Sequence, residues 1–179
     1  MLTPLSLPHK LERKSMTCRA VIETSKGARS KFDYDEESGL FRLAGLLPEG
    51  MSFPADFGFF PGTKAEDGDP LDVMVLHDEP IPTAAIVTVR LIGVIEADQT
   101  EQGNTVRNDR LLAVTTSSHQ HERITDVQQL GETFVEHLKK FWSNYNALKG
   151  QSFVVRGVYG PERAAAALEK ATTTEHRAV

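Results

Sequence analysis

At 179 residues, 40% of them hydrophobic and 25% charged, the chain is long enough to bury a core and falls in the ordinary range for a globular domain. A net charge of −5 with no lysine or arginine block argues against general nucleic-acid binding, and no apolar run approaches the roughly 18 residues of a membrane span. One cysteine, Cys18, leaves no internal disulfide and fits a reducing cytoplasm.

In chain order, the opening MLTPLSLPHKLERK is broken by two prolines and lacks the apolar core of a secretory signal, so residues 1–17 are expected to form a mobile arm. Cys18 to Glu23, Lys31 to Tyr34 and Leu40 to Leu43 alternate as half-buried strands do. Residues 50–63, GMSFPADFGFFPGT, are too punctuated for a helix and too apolar for a free loop. They predict an irregular segment pinned by its aromatics beside a site. Leu71 to Leu76, Ile86 to Ile95 and Arg110 to Thr115 are Val- and Ile-rich strands, with a polar hairpin-like excursion over 98–109.

A long helix is predicted from about Asp126 to Lys149, where Leu130, Phe134, Leu138, Phe141, Trp142 and Tyr145 recur at helical spacing. Thr125 and Gln128 have capping-box spacing, and Gly150 stands where the helix would stop. Phe153 to Val158 is a last strand, Pro161 opens a short Ala-rich helix, and the polar stretch 172–179 is expected to fray. The sum is an α+β, mainly β, single domain over 18–171, built as a small closed barrel with a packed helix.

The sharpest feature is Glu66-Asp67-Gly68-Asp69-Pro70-Leu71-Asp72-Val73, with three aspartates at the mouth of a strand. Leu71, Val73 and Val75 share one face, so Asp72 points the other way. Crowded carboxylates repel unless protonated or neutralised, and a hard divalent cation such as Mg²⁺ would neutralise them. An isolated Asp-Gly-Asp reads more readily as a solvated acidic turn; the strand behind it and the aromatic segment ahead point to metal. A calcium loop is excluded because Asp72 occupies its glycine position. His119 and His121 have the spacing of two ligands on a strand but no third beside them, and Lys26-Gly27-Ala28-Arg29 lacks the rest of a P-loop.

PADFGFF, AEDGDPLDVMVL, DEP at 78–80 and IGVIEA at 92–97 resemble the soluble (family I) inorganic pyrophosphatases, whose signature D-G-D-P-x-D-[VIL] is met in full at 67–73. VIET, SKFDYDEESGLFRL, RLLAV, KFWSNYNALKG and FVVRGVYG extend the resemblance, in order, over roughly residues 18–170. The resemblance implies an OB-like five-stranded barrel flanked by helices and a metal-dependent hydrolase of pyrophosphate that uses Mg²⁺ or Mn²⁺. It implies a cytoplasmic homo-oligomer, a hexamer in bacterial relatives, without nucleic-acid or membrane partners. By the same resemblance Asp67 and Asp72 are metal ligands, and Asp69 takes the proton from water. Glu23 is an outer carboxylate, and Glu101 a further metal carboxylate. Lys31, Arg110 and Tyr145 are phosphate contacts.

The departures concentrate on one side. Asn108 falls where the family has aspartate, so either Asp109 substitutes or one metal is held more weakly. Asp33 stands for glutamate, Gly45 for an arginine (with Arg42 close by), Phe53 and Phe57 for tyrosines, and Asn146 for a lysine. The missing arginine and lysine contact the leaving phosphate in the family. Each lost charge-assisted contact would cost about 1.5–3 kcal/mol unless Arg29, Arg42 or Arg107 compensates. Two alternatives therefore stand beside pyrophosphate hydrolysis: cleavage of another small phosphoanhydride, and a catalytically impaired binding or scaffold protein.

Overall fold

The computed structural model describes residues 3–173. Its strands are β1 (Thr17–Thr24), β2 (Ser30–Asp35), β3 (Leu40–Leu46), β4 (Asp56–Phe59) and β5 (Asp72–Leu76), then β6 (Ile86–Glu101), β7 (Asn104–Arg107) and β8 (Arg110–Thr115). A 3₁₀ turn at Val127–Leu130 leads into helix α1 (Glu132–Leu148), followed by β9 (Ser152–Tyr159) and helix α2 (Pro161–Ala171).

Hydrogen bonding runs β1–β4–β5–β8–β6 and returns from β6 to β1, so five strands close on one another. This is the expected OB-like arrangement, and closure leaves those five without a free edge. Among the described residues only β5 and β8 are parallel, pairing Val73 with Leu111 and Val75 with Ala113. The 16-residue β6 outlasts the ring; its second half carries β9 and the β7 hairpin. Strands β2 and β3 form a separate two-stranded sheet.

Alternation divides the core. Val73, Val75, Leu111 and Ala113 face a cluster sealed by Ala164, Ala165 and Leu168 of α2. Met74, Leu76, Leu112 and Val114 face Leu138, Phe141 and Trp142 of α1. The first residues of β5 and β8, Asp72 and Arg110, therefore point to the α1 side.

Two elements differ from expectation. The aromatic segment contains β4, whose four residues are all buried, so no alternation marks it in the sequence. Gly58 within it is obligatory, because a Cβ there would lie 1.9 Å from the Val21 carbonyl oxygen. The long helix is divided by Gly131, at φ +82°, into the 3₁₀ turn and α1. The capping box sits one residue later than predicted, on Asp126 and Gln129.

Of the expected arm, residues 3–16 lie against the body. The His9 ring is 3.0 Å from the Thr172 hydroxyl, and Gly62 N–H donates to the Leu5 carbonyl at 2.7 Å. Of the expected frayed tail, Thr172 and Thr173 bond to the Leu168 and Gly62 carbonyls, while 174–179 lie outside the described residues. Among the described residues no helix is long and apolar enough to cross a membrane.

Candidate active site

Where β5 and β8 begin, the ring opens into a cavity of about 670 Å³ between the aspartate turn, the β2–β3 sheet, the β6–β7 hairpin and the end of α1. Glu23, Lys31, Arg42, Asp67, Asp69, Asp72, Glu101, Asn108, Arg110 and Tyr145 all line it. Residues spread over more than 120 positions thus meet at one place.

The aspartate turn is built by local bonds. Ala65 N–H donates to the Asp69 carbonyl at 2.7 Å, Gly68 at φ +94° donates to the Ala65 carbonyl, and Asp69 N–H donates to the Asp67 carboxylate at 3.1 Å. Asp67 and Asp69 are exposed; Asp72, at the strand mouth, is partly covered. Partial desolvation at the cavity wall raises the Asp67 carboxyl above its ordinary value, and the Asp69 charge adds to this. Burial pushes Asp72 up to about 6, against Arg110 and with Asp67, so the turn resists full ionisation.

Arg110 opposes it. The residue is 4% exposed, and its guanidinium pairs with Asp72 at 2.5 Å and donates to the Asn108 amide oxygen. It lies over the Trp142 ring at 4.4 Å and the Phe153 ring at 5.5 Å, which fixes its plane toward the cavity. Its Nε is buried without a hydrogen-bond partner.

On the opposite wall, Tyr34 N–H donates to Glu23 at 2.9 Å, yet burial still carries the Glu23 carboxyl up to about 8. Burial lowers the Lys31 pKa, but its ion pair with Asp33, with help from Tyr145 and Glu23, outweighs that and leaves it raised. Arg42 on β3 pairs with Asp35 at 3.7 Å. Glu101 stands on the rim at the β6–β7 turn.

Asp109 does not line the cavity. Asn108 and Arg110 face the cavity, and Asp109, between them on extended backbone, faces away. It accepts from Arg107 at 2.6 Å and from Ala97 N–H at 3.1 Å, in a network with Glu96 and Arg163. Asn108 is instead held by Gln99, through its amide N–H at 2.9 Å. The same network removes Arg107 as a compensating cation, and Arg29 is bound to the Leu47 carbonyl at 3.0 Å.

The two phenylalanines differ. Phe53 is 1% exposed and packs against Phe57, Phe141 and Trp142, while Phe57 reaches the cavity wall. Asn146 is buried and turns its amide back to the Trp142 carbonyl at 2.9 Å. Gly45 leaves open space where a side chain would project. Sequence reasoning missed Gln99, Trp142 and Lys149 as wall residues. The signal for Lys149 was present: four residues beyond Tyr145, it falls on the same helix face.

Among the described residues no three carboxylate, imidazole or thiol groups converge on one point as they stand. The donor set nevertheless fits a hard divalent ion in kind. All its groups are oxygens, Asp67, Asp69 and Asp72 face one cavity, and burial keeps two of them short of ready ionisation without added positive charge.

The family model for inorganic pyrophosphatase matches residues 20–176. The inorganic pyrophosphatase of Thermus thermophilus is 31% identical over 150 residues, 84% of this chain and 83% of that one. That of Helicobacter pylori strain J99 is 33% identical over 154 residues, covering 84% and 87%. The crystal structure of the Thermus thermophilus enzyme superposes with a TM-score of 0.87 at 27% identity, covering 98% of this chain and 99% of that one. A Helicobacter pylori inorganic pyrophosphatase structure gives 0.81 at 28% identity over 91% and 95%. A cavity with aspartates beside a buried arginine is thus carried on a frame shared with these enzymes, and the chain belongs to the family I inorganic pyrophosphatases.

Proposed function

We propose that this chain hydrolyses inorganic pyrophosphate to two phosphates, with Mg²⁺ or Mn²⁺ held at the aspartate turn. The observation that carries the reading is the Asp72–Arg110 crossing, where an oxygen-rich wall meets a cationic one in a single cavity. Asp67 and Asp72 would hold metal, with Glu23 behind them acting through water and Glu101 and Asn108 offering further oxygens. The ion, when bound, supplies positive charge beside the phosphate oxygens and acidifies nearby water.

Asp69 takes a proton from the attacking water. The water oxygen bonds to one phosphorus, the bridging P–O bond breaks, and its electron pair leaves with the second phosphate. Lys31 and Arg110 neutralise charge on the phosphoryl group under attack. Arg42 and Tyr145 bound the leaving side. The catalytic unit is the domain 18–171, working as a cytoplasmic homo-oligomer, a hexamer by family likeness, with no nucleic-acid or membrane partner.

Phosphate release from pyrophosphate with Mg²⁺ tests this, with Asp69→Asn beside wild type. We expect the variant to lose about a hundredfold or more. A wild type that releases no phosphate from any anhydride with Mg²⁺ or Mn²⁺ would reject the enzyme and leave the scaffold reading. A second reading, cleavage of a different phosphoanhydride, is favoured by the inward-turned Asn146, whose amide is spent on the Trp142 carbonyl. Fast cleavage of pyrophosphate in strong preference to nucleotides would sink it.

A further inference from the structure

Pyrophosphate is a compact polyanion, so the cavity must offer it positive charge beyond any metal. Four cationic side chains line the cavity: Lys31, Arg42, Arg110 and Lys149. Three already face a carboxylate, namely Asp33, Asp35 and Asp72 in that order. An incoming phosphate must compete with those carboxylates for the cations. Among the described residues, Lys149 has no carboxylate partner; its ammonium stands 5.3 Å from the centre of the Tyr145 ring, on the cavity wall. We infer that Lys149 is the cation that receives the leaving phosphate.

Helix geometry places it. Lys149 caps α1, with its N–H on the Asn146 carbonyl at 2.9 Å, and Gly150 at φ +72° ends the helix immediately after it. It lies four residues beyond Tyr145 and three beyond Asn146, next to each on the helix surface, and all three line the cavity. Asn146 spends its amide on the Trp142 carbonyl and carries no charge, so positive charge on this face comes from one turn further along. A lysine at a helix C-terminus is also favourable for the helix itself, and the experiment must separate that role from binding.

The inference rests on the pyrophosphatase reading. Lys149→Gln, Lys149→Arg and Lys149→Gln/Asn146→Lys are assayed with pyrophosphate and saturating Mg²⁺, alongside thermal denaturation. We expect Lys149→Gln to lower kcat/KM about tenfold and to flatten its dependence on salt. Lys149→Arg should stay within about threefold of wild type, and the double variant should recover most of the loss, since both restore a cation on the same face. A Lys149→Gln enzyme equal to an active wild type in kcat/KM overturns the inference and leaves the reaction standing. Equal losses in Lys149→Gln and Lys149→Arg, tracking the fall in Tm, also overturn it. A wild type inert toward pyrophosphate defeats the underlying reading instead.

Discussion

Arg110→Ala separates the structural and electrostatic work of the site. In the wild type the buried guanidinium neutralises Asp72 at 2.5 Å and covers Trp142 at 4.4 Å. Removal deletes the ring contact at every pH, a loss of roughly 1–2 kcal/mol. It also leaves Asp72 without its cation. Asp72 stands at about 6 in the folded protein, raised by burial and restrained by Arg110, so without Arg110 it rises further. Below about pH 6 the carboxyl is protonated in either protein and this second loss is absent. As pH rises through about 6 only the variant must ionise an unpaired group, and the extra cost grows toward about 3 kcal/mol near pH 8. At this chain length each kcal/mol moves Tm by about 2–4 °C, so the variant should fall roughly 6–12 °C further below wild type near pH 8 than near pH 5. The fluorescence of Trp142, the chain's one tryptophan, reports unfolding in EDTA at both pH values. A Tm difference independent of pH would refute the coupling of Arg110 to Asp72.

Without metal, the folded protein holds Asp72 and Glu23 above their unfolded values, at about 6 and about 8, so stability should fall as pH rises from about 4, through both groups up to about 6 and through Glu23 alone up to about 8. Mg²⁺ should accordingly raise Tm more near pH 8.5 than near pH 5.5, and an equal rise at both would count against the carboxylates as its site. Asp109→Asn should leave the Mg²⁺ dependence of kcat/KM within about threefold, since Asp109 faces away from the cavity; a shift of tenfold or more would restore it as a ligand. Burial pushes the Cys18 thiol well above its ordinary value, so a disulfide reagent near pH 8 should modify it only after denaturation, and stoichiometric labelling of native protein would contradict its placement. Gly58→Ala should yield insoluble or unfolded chain, because the Val21 carbonyl occupies the new methyl position; a soluble variant with wild-type Tm would show that β1 and β4 can part.

The sequence was legible where local pattern and long-range packing agree. The Val- and Ile-rich strands, the apolar face of α1 and the aspartate turn all lie close to where alternation and periodicity put them. It was illegible where burial is two-sided or one residue changes the backbone. Strand β4 has no polar face to reveal it, and Gly131 interrupts an apolar pattern that continues across it. Closure of the ring between β1 and β6 joins segments about 70 residues apart, and nothing local encodes it. Tyr145 shows the limit of pattern most plainly. It is both buried among Phe53, Phe141 and Trp142 and exposed to the cavity at its edge, so the core and site readings describe two ends of one ring.

Asn108 and Asp109 show how the backbone decides which of two neighbouring side chains meets the cavity. Charge alone would favour Asp109, one residue from the expected position. Extended backbone sends successive side chains to opposite faces, and Arg110 fixes the phase because its guanidinium is locked between Trp142 and Asp72. For Asp109 to enter, Arg110 would have to leave its aromatic bed and surrender its ion pair. The arginine therefore sets which atom two residues earlier meets the cavity, and that atom is the neutral oxygen of Asn108. One negative charge is absent from the oxygen wall beside Arg110, just as one positive charge is absent at Asn146. The two absences lie in the same cavity and are opposite in sign, so the net charge of its wall is kept while each sign is spread over fewer groups.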